Sequence, residues 1–234
     1  MMVNETWFKN GVKDSEDLSE LAPAENIEFI CKNRGTRGGG VAIAFDKGKC
    51  DFKKVPMTCM RGKPFEILVA AGKILGVKET HVLISVYLPP NYTRQENNQF
   101  METLADVLTE AKSKYPGCRL TLGGDWNGRS LMEITDALPE LQKTPTGPTG
   151  ELATLDILLT NYRDHLVSSG TTYPLESDSL AESDHKVVLS EALLPRERAF
   201  SWEIHKYLQI TKDGDRDFKP VSYTHLTLPT IYSV

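Results

Sequence analysis

Five stretches of the sequence end or interrupt an apolar run on a group that can do chemistry. They are Glu5 in VNETWF, Tyr87 in SVYLPP, Asp125 and Asn127 in GGDWN, Asp156 in TLDIL, and Asp184 with His185 in SDH. Carboxylates hold a hard divalent cation, and magnesium takes one or two of them together with water and substrate phosphate oxygens. A histidine whose tautomer is fixed by a carboxylate can serve as a general base. An asparagine orients water, a carboxylate or a phosphate oxygen. As a set, these types suit metal-assisted, in-line attack of water on a phosphodiester.

Each residue also has a plainer reading. A D-x-N after two glycines makes a turn, because Asp and Asn bond their own backbone there. SDH alone is a cap. Tyr87 alone is half-buried core, and Glu5 alone is surface. His81, His165 and His205 have no chemical company and read as structural. The functional argument therefore rests on the set and its order.

The elements that must position these groups are legible as patterns. Ile27–Asn33, Gly38–Phe45, CDFKKVPM, FEILVAAG and His81–Leu88 are short runs rich in β-branched and aromatic residues, bounded by Gly, Pro or charged turns. The two prolines of YLPPNY exclude helix and ladder alike. From Arg94 to Tyr115, Phe100, Leu104, Val107, Leu108 and Ala111 recur at steps of three and four, the spacing of a helix with one apolar face. Arg119–Leu122 resumes as a strand and runs through Gly123-Gly124 to Asp125. SLMEITDALPEL is a second helical piece, QKTPTGPTGELA a turn-rich loop, TLDILLTN a strand, and a last strand follows SDH. This order predicts a layered α/β or α+β sandwich.

The chain has 234 residues with 40% apolar and 25% charged content, enough for one domain with a substantial core. No apolar run reaches the roughly 18 residues of a membrane span, and MMVNETWFKNG has no signal-peptide pattern. Four scattered cysteines without a C-x-x-C pair predict a reduced, intracellular protein, nuclear or cytoplasmic, with free thiols. The net charge of −5 is uneven. Between Cys31 and Pro64, nine Lys and Arg face only Asp46 and Asp51, so this segment is about +7 on an otherwise acidic chain. Such a segment is either a solvated face or a surface for a polyanion such as nucleic acid.

After Leu194 the composition turns polar with scattered aromatics. Residues 195–219 read as a linker, and 220–234, PVSYTHLTLPTIYSV, as a non-native, adaptor-derived tail. Residues 1–194 are the expected domain.

The motifs in their order resemble the endonuclease/exonuclease/phosphatase superfamily, most closely the endonuclease domains of non-long-terminal-repeat retrotransposons. NETWF resembles the Q-E-T motif, YLPP the Y-x-P element, GGDWN the G-D-F/W-N motif, TLDILLTN the L-D element and SDHKVV the terminal S-D-H motif. LLPRERAFSWEIHKY resembles the segment that joins such endonucleases to a reverse transcriptase. The resemblance implies a four-layer sandwich of two mixed β-sheets flanked by helices, and a Mg2+ cofactor with Mn2+ as the alternative. It implies Glu5 and Asp184 as metal ligands and Tyr87 on the scissile phosphate. Asp125 would orient or activate water, Asn127 would hold that Asp or the phosphate, Asp156 would sit behind His185, and His185 would stabilise the attacked phosphate or act as base. DNA is the implied partner, contacted by Arg34, Arg37, Lys53 and Lys54, with no membrane and no obligate protein partner.

The sequence departs from that pattern in places. Met1 stands three residues before Asn4-Glu5 where the family has about thirty, so its first strand, with a metal-binding Asn, is expected to be missing. Gly147 and Gly150 replace an Arg, and Pro90 an Asn. Three functions remain open on these residues: a DNA-nicking endonuclease, a catalytically dead or merely nucleic-acid-binding remnant, and a phosphodiesterase of lipid, inositol or RNA substrates.

Overall fold

A computed structural model describes residues 1–4, 6, 26–34, 39–144, 148–149, 154–172, 187–195, 204–207 and 221–224. The chain divides into two compact units, Met1–Arg196 and Glu197–Val234. The first holds β1 (Met2–Asn4), β2 (Ile27–Lys32), β3 (Val41–Asp46), β4 (Cys50–Lys54), β5 (Glu66–Ile74), β6 (His81–Tyr87), α1 (Arg94–Lys114) and β7 (Arg119–Asp125). It continues with α2 (Leu131–Ala137), β8 (Gln142–Lys143), β9 (Asp156–Thr160), β10 (Leu166–Thr172) and β11 (Val187–Ala192). The second holds β12 (Ile204–Tyr207) and β13 (Val221–Thr224), an antiparallel pair with Ile204 opposite Thr224. β12 therefore falls in the stretch expected to be a linker, and β13 in the stretch whose composition reads as foreign.

The first unit is built on a six-stranded mixed sheet in the order β4-β5-β6-β7-β9-β8. β6 and β7 are parallel and the other neighbours antiparallel. A parallel pair needs a crossover, and α1 supplies it. Alternation explains why the central strands read as unbroken apolar runs. Ile67, Val69 and Ala71 of β5, Val82, Ile84 and Val86 of β6, and Leu120 and Leu122 of β7 all point to one face. There they pack on Phe100, Leu104, Val107 and Leu108 of α1 and on Ile134 of α2. On the other face Leu68, Ala70 and Tyr87 pack against Ile30, Val41, Ile43 and Phe45 of a three-stranded sheet, β1-β3-β2. Strands buried on both sides lose the polar alternation of a surface sheet. The β10–β11 hairpin forms a further two-stranded sheet, with β11 lying against β9. The layered α/β sandwich expected from the pattern is thus what the chain forms. Among the described residues, the α-helices cover the outer face of the six-stranded sheet.

α1 begins at a capping box. The Thr93 hydroxyl accepts from the Glu96 N–H at 3.2 Å, and the Glu96 carboxylate accepts from the Thr93 N–H at 2.7 Å. Such a cap contributes about 1 kcal/mol. The five residues predicted to line its apolar face are all buried. The helix ends at Lys114, and Gly117 makes the turn into β7 with φ 71°.

The sequence patterns above do not single out Leu166–Thr172, which is a strand. Its partner, β11, is about twenty residues further along the chain. All four cysteines are free thiols. Among the described residues no helix is long and apolar enough to cross a membrane.

Candidate active site

Four polar side chains form a row across the six-stranded sheet. Glu66 at the start of β5 stands opposite Tyr87 at the end of β6. Tyr87 stands opposite Asp125 at the end of β7, and Asp125 opposite Asp156 at the start of β9. With strands about 4.8 Å apart, the row spans roughly 14 Å. It lies on the face turned to the three-stranded sheet, where Tyr87 joins that core. Tyr87 and Asp125 meet because β6 and β7 run parallel and end together. Asp156 joins them because β9 runs back.

Asp125 is held from several sides. Its carboxylate Oδ1 accepts from the Asn127 N–H at 2.8 Å, and Oδ2 from the Asn127 side-chain amide at 3.0 Å. The same amide donates to the Leu88 carbonyl at 2.9 Å, and the Leu88 N–H donates to the Asp125 carbonyl at 3.0 Å. Asn127 adopts φ 47°, a left-handed conformation that Asn tolerates better than most residues. Trp126 between them is fully buried, with its ring edge-on to Phe100 and its backbone N–H donating to the Leu155 carbonyl at 2.8 Å. Gly124 is required by close strand approach, since a Cβ there would sit 1.9 Å from the Val86 carbonyl oxygen. Asn127 thus bonds the Asp125 carboxylate.

Asn4 ends β1 beside this group. Its amide is satisfied when the oxygen accepts from the Asp125 N–H at 2.9 Å and the nitrogen donates to the Val86 carbonyl at 3.1 Å. β1 is thereby tied to the end of β7. Asp156 is positioned through its backbone. The hydroxyl of Thr149, a fully buried residue, accepts from the N–H groups of both Leu155 and Asp156, at 2.8 and 2.9 Å.

Glu66 was not singled out in the sequence, where it reads as one polar interruption in FEILVAAG. It is 2% exposed. Its carboxylate accepts from the Gly40 N–H and lies 3.3 Å from Arg34 Nε. Gly39, at φ 75°, leaves room for this, because a Cβ there would come within 2.7 Å of both carboxylate oxygens. The charge reaches further, since burial first and Glu66 second hold the Tyr92 hydroxyl above its ordinary pKa. Arg34, expected to face nucleic acid, is thus engaged with Glu66. Lys53 and Lys54 lie on opposite faces of β4. Lys54 shares the face of Phe52 and donates to the Cys31 carbonyl, whereas Lys53 lies near Asp51.

Glu5, Arg37, Asp184 and His185 lie outside the described residues. The donors in the row are oxygens, the type magnesium takes. However, among the described residues no three His, Cys, Asp or Glu side chains come together to hold an ion. The row alone does not make a metal site.

The opposite end of the sheet carries a separate polar cluster. Arg119 bonds Glu79 at 2.7 Å and lies over the Tyr162 ring, which stands edge-on to His81. His81 is 2% exposed. Burial, reinforced by the Arg119 charge, lowers its pKa to about 4.

Solved structures share this architecture. A D. rerio TDP2 complexed with single strand DNA product superposes with a TM-score of 0.56 at 13% identity, covering 81% of this chain and 83% of that one. An endonuclease/exonuclease/phosphatase family protein from Bacteroides thetaiotaomicron gives 0.55 at 13% identity, covering 75% and 78%. The fold is that of the endonuclease/exonuclease/phosphatase proteins. The mannosyl-6-phosphatase Bt3783 of B. thetaiotaomicron VPI-5482 also shares it, with a TM-score of 0.55 at 13% identity over 77% and 81% of the two chains. No protein-family model matches the sequence, and comparison with curated proteins finds no match.

Proposed function

We propose that the chain is a metal-dependent phosphodiesterase acting on nucleic acid, and specifically an endonuclease that nicks one strand of DNA, as a retrotransposon's target-cleaving domain does. The observation that carries this reading is the row Tyr87–Asp125–Asp156 with the Asp125 carboxylate fixed by Asn127. A carboxylate pinned at a strand end can take the proton of an attacking water as its oxygen bonds to phosphorus. The bond to the leaving sugar oxygen breaks as the new one forms, and that oxygen takes a proton from solvent water. Tyr87, beside Asp125, is assigned to the phosphate, Asp156 to orienting His185, and His185 to the phosphate oxygens. Glu5 and Asp184 are assigned to magnesium, with manganese as a substitute. The single strand DNA product in the similar TDP2 and the basic segment between Cys31 and Pro64 support nucleic acid over a sugar phosphate.

A plasmid-nicking assay with magnesium, run beside EDTA and beside Asp125→Ala and His185→Ala, tests this. Conversion of supercoiled to open-circular DNA by the parent alone is expected. Equal nicking by the variants would remove these residues from the chemistry. Turnover of a sugar phosphate but not of DNA would move the substrate to the phosphatase class.

A further inference from the structure

β4 leaves the sheet early. Its last backbone contact with β5 is the Val55 N–H on the Val69 carbonyl, after which Pro56 turns the chain away. The departure opens a notch of about 550 Å3 at the edge of β5. Four cations surround it: Lys32, Lys54, Arg61 and Lys114. Val55 and Met60 are among its apolar lining.

One lysine has a sufficient structural reason to be there. Lys32 Nζ donates to the Phe65 carbonyl at 2.7 Å and reaches the Ile67 carbonyl at 3.4 Å, which covers the edge that β4 abandons. Lys114 is neutralised by Glu110 at 2.7 Å and donates to the Pro56 carbonyl. Glu110 is itself committed to the Thr58 and Cys59 N–H groups. Lys54 donates to the Cys31 carbonyl, but no acidic side chain among the described residues neutralises its charge or that of Arg61. Both are exposed. Like charges gathered on one cavity oppose folding unless an anion shares it. Consistently, burial and then the Lys54 charge depress the Lys32 pKa.

The notch lies at the β5 edge of the sheet that carries the row, where β4 would flank Glu66, and the sheet order runs from β4 through β5 and β6 to β7. Its apolar wall, Val55 and Met60, packs on the α1 side of that sheet. We propose that this notch is a subsite for single-stranded nucleic acid, with a backbone phosphate on Lys54 and Arg61 and the sugar or base of that nucleotide over Val55 and Met60. The volume suits a ligand of nucleotide size. Alternating apolar and cationic contacts are how unpaired strands are held without sequence preference. The proposal rests on the nucleic-acid reading above for its substrate class and adds where the strand lies.

The test is equilibrium binding of a fluorescent oligothymidylate to the full chain in EDTA, so that it does not depend on catalysis. Lys54→Glu/Arg61→Glu is compared with Lys73→Glu/Lys78→Glu, which makes the same charge change outside the basic segment, at the end of β5 and the turn to β6. The first variant is expected to bind on the order of tenfold more weakly in low salt. Its dependence of log K on log salt is expected to be shallower by about 0.7, the loss of one phosphate contact on a single strand. The control is expected to bind as the parent does. Lys54→Gln/Arg61→Gln repeats the comparison should charge reversal lower the melting temperature. Equal loss in both double variants, or an unchanged slope in the notch variants, overturns the proposal. So does an oligoglutamate peptide that binds as tightly and loses as much, which would make the notch a site for acidic peptides. If nicking fails but the notch variants still lose oligonucleotide, the enzyme reading falls and the subsite stands.

Discussion

Asn127 grips both oxygens of the Asp125 carboxylate, Oδ1 through its backbone N–H and Oδ2 through its side-chain amide. The two contacts can be separated by substitution. Asn127→Gly keeps the backbone contact and the φ of 47° while deleting the amide. It is expected to lower the DNA-nicking rate by about 10- to 100-fold with little change in melting temperature, because a less rigid carboxylate is a poorer base. Asn127→Ala is expected to add a stability loss of about 1 kcal/mol, since alanine resists the left-handed region. Asp125→Asn, nearly isosteric but unable to take a proton, is expected to fold and to lose at least about 100-fold in rate. A parent-like rate in that variant would place the reacting carboxylate elsewhere.

Gly124 offers a test of strand approach without reference to activity. A Cβ 1.9 Å from the Val86 carbonyl forces β6 and β7 apart. Gly124→Ala is expected to cost about 3 kcal/mol or more, read by denaturant titration. Gly170→Ala, where a Cβ meets nothing within 4 Å, is the matched control and is expected to stay within about 0.5 kcal/mol of the parent.

Thr149 reaches the site only through backbone. Thr149→Val leaves two N–H groups without their acceptor at a fully buried position, at a cost of about 1–3 kcal/mol. Thr149→Ser keeps the hydroxyl and is expected to restore most of that stability. Chemical denaturation of the three proteins decides it, and equal stability of the Val and Ser forms would mean that the hydroxyl does not hold the start of β9.

His81 makes stability depend on pH. Its pKa is lowered to about 4 in the folded chain, and the unfolded chain titrates near the ordinary 6.5. Between these values the unfolded state binds more protons, so stability falls as pH drops from 6.5 to 4, by up to roughly 3 kcal/mol. Arg119, Glu79 and Lys73 are the charges that act on it. Glu79 is held below its ordinary 4.5 by Arg119, so its own loss begins only under that pH. Melting temperatures across pH 4 to 7 for the parent and for His81→Leu check this. The variant is expected to show a flatter profile above pH 4.5, and matching slopes would assign the acid sensitivity to other groups.

The sequence made the strands β5, β6 and β7 and the apolar face of α1 readable, because both are local patterns, but it did not show that the strands are buried on both sides. It also placed Tyr87, Asp125 and Asp156 at strand ends. What it did not contain is register. That Tyr87 stands opposite Asp125 depends on how β7 docks after a 21-residue helix, and no local pattern encodes that. Glu66 was missed for the same reason. Its role arises from Gly40 and Arg34, more than twenty residues away. Lys53 and Lys54 look equivalent as neighbours in a basic run, yet one step along a strand reverses the face.

The row from Glu66 to Asp156 has a consequence for how such a protein can change. Its members are fixed by pairing across four strands, and a strand can re-register productively only by two residues, because a shift of one turns every side chain over. The row therefore cannot be adjusted gradually. Insertions in the turns before β5 or after β9 leave it intact, whereas a single inserted residue within β6 or β7 abolishes it. Divergence in what the site accepts is thus channelled into the connecting loops, while the chemical row passes between descendants whole or not at all.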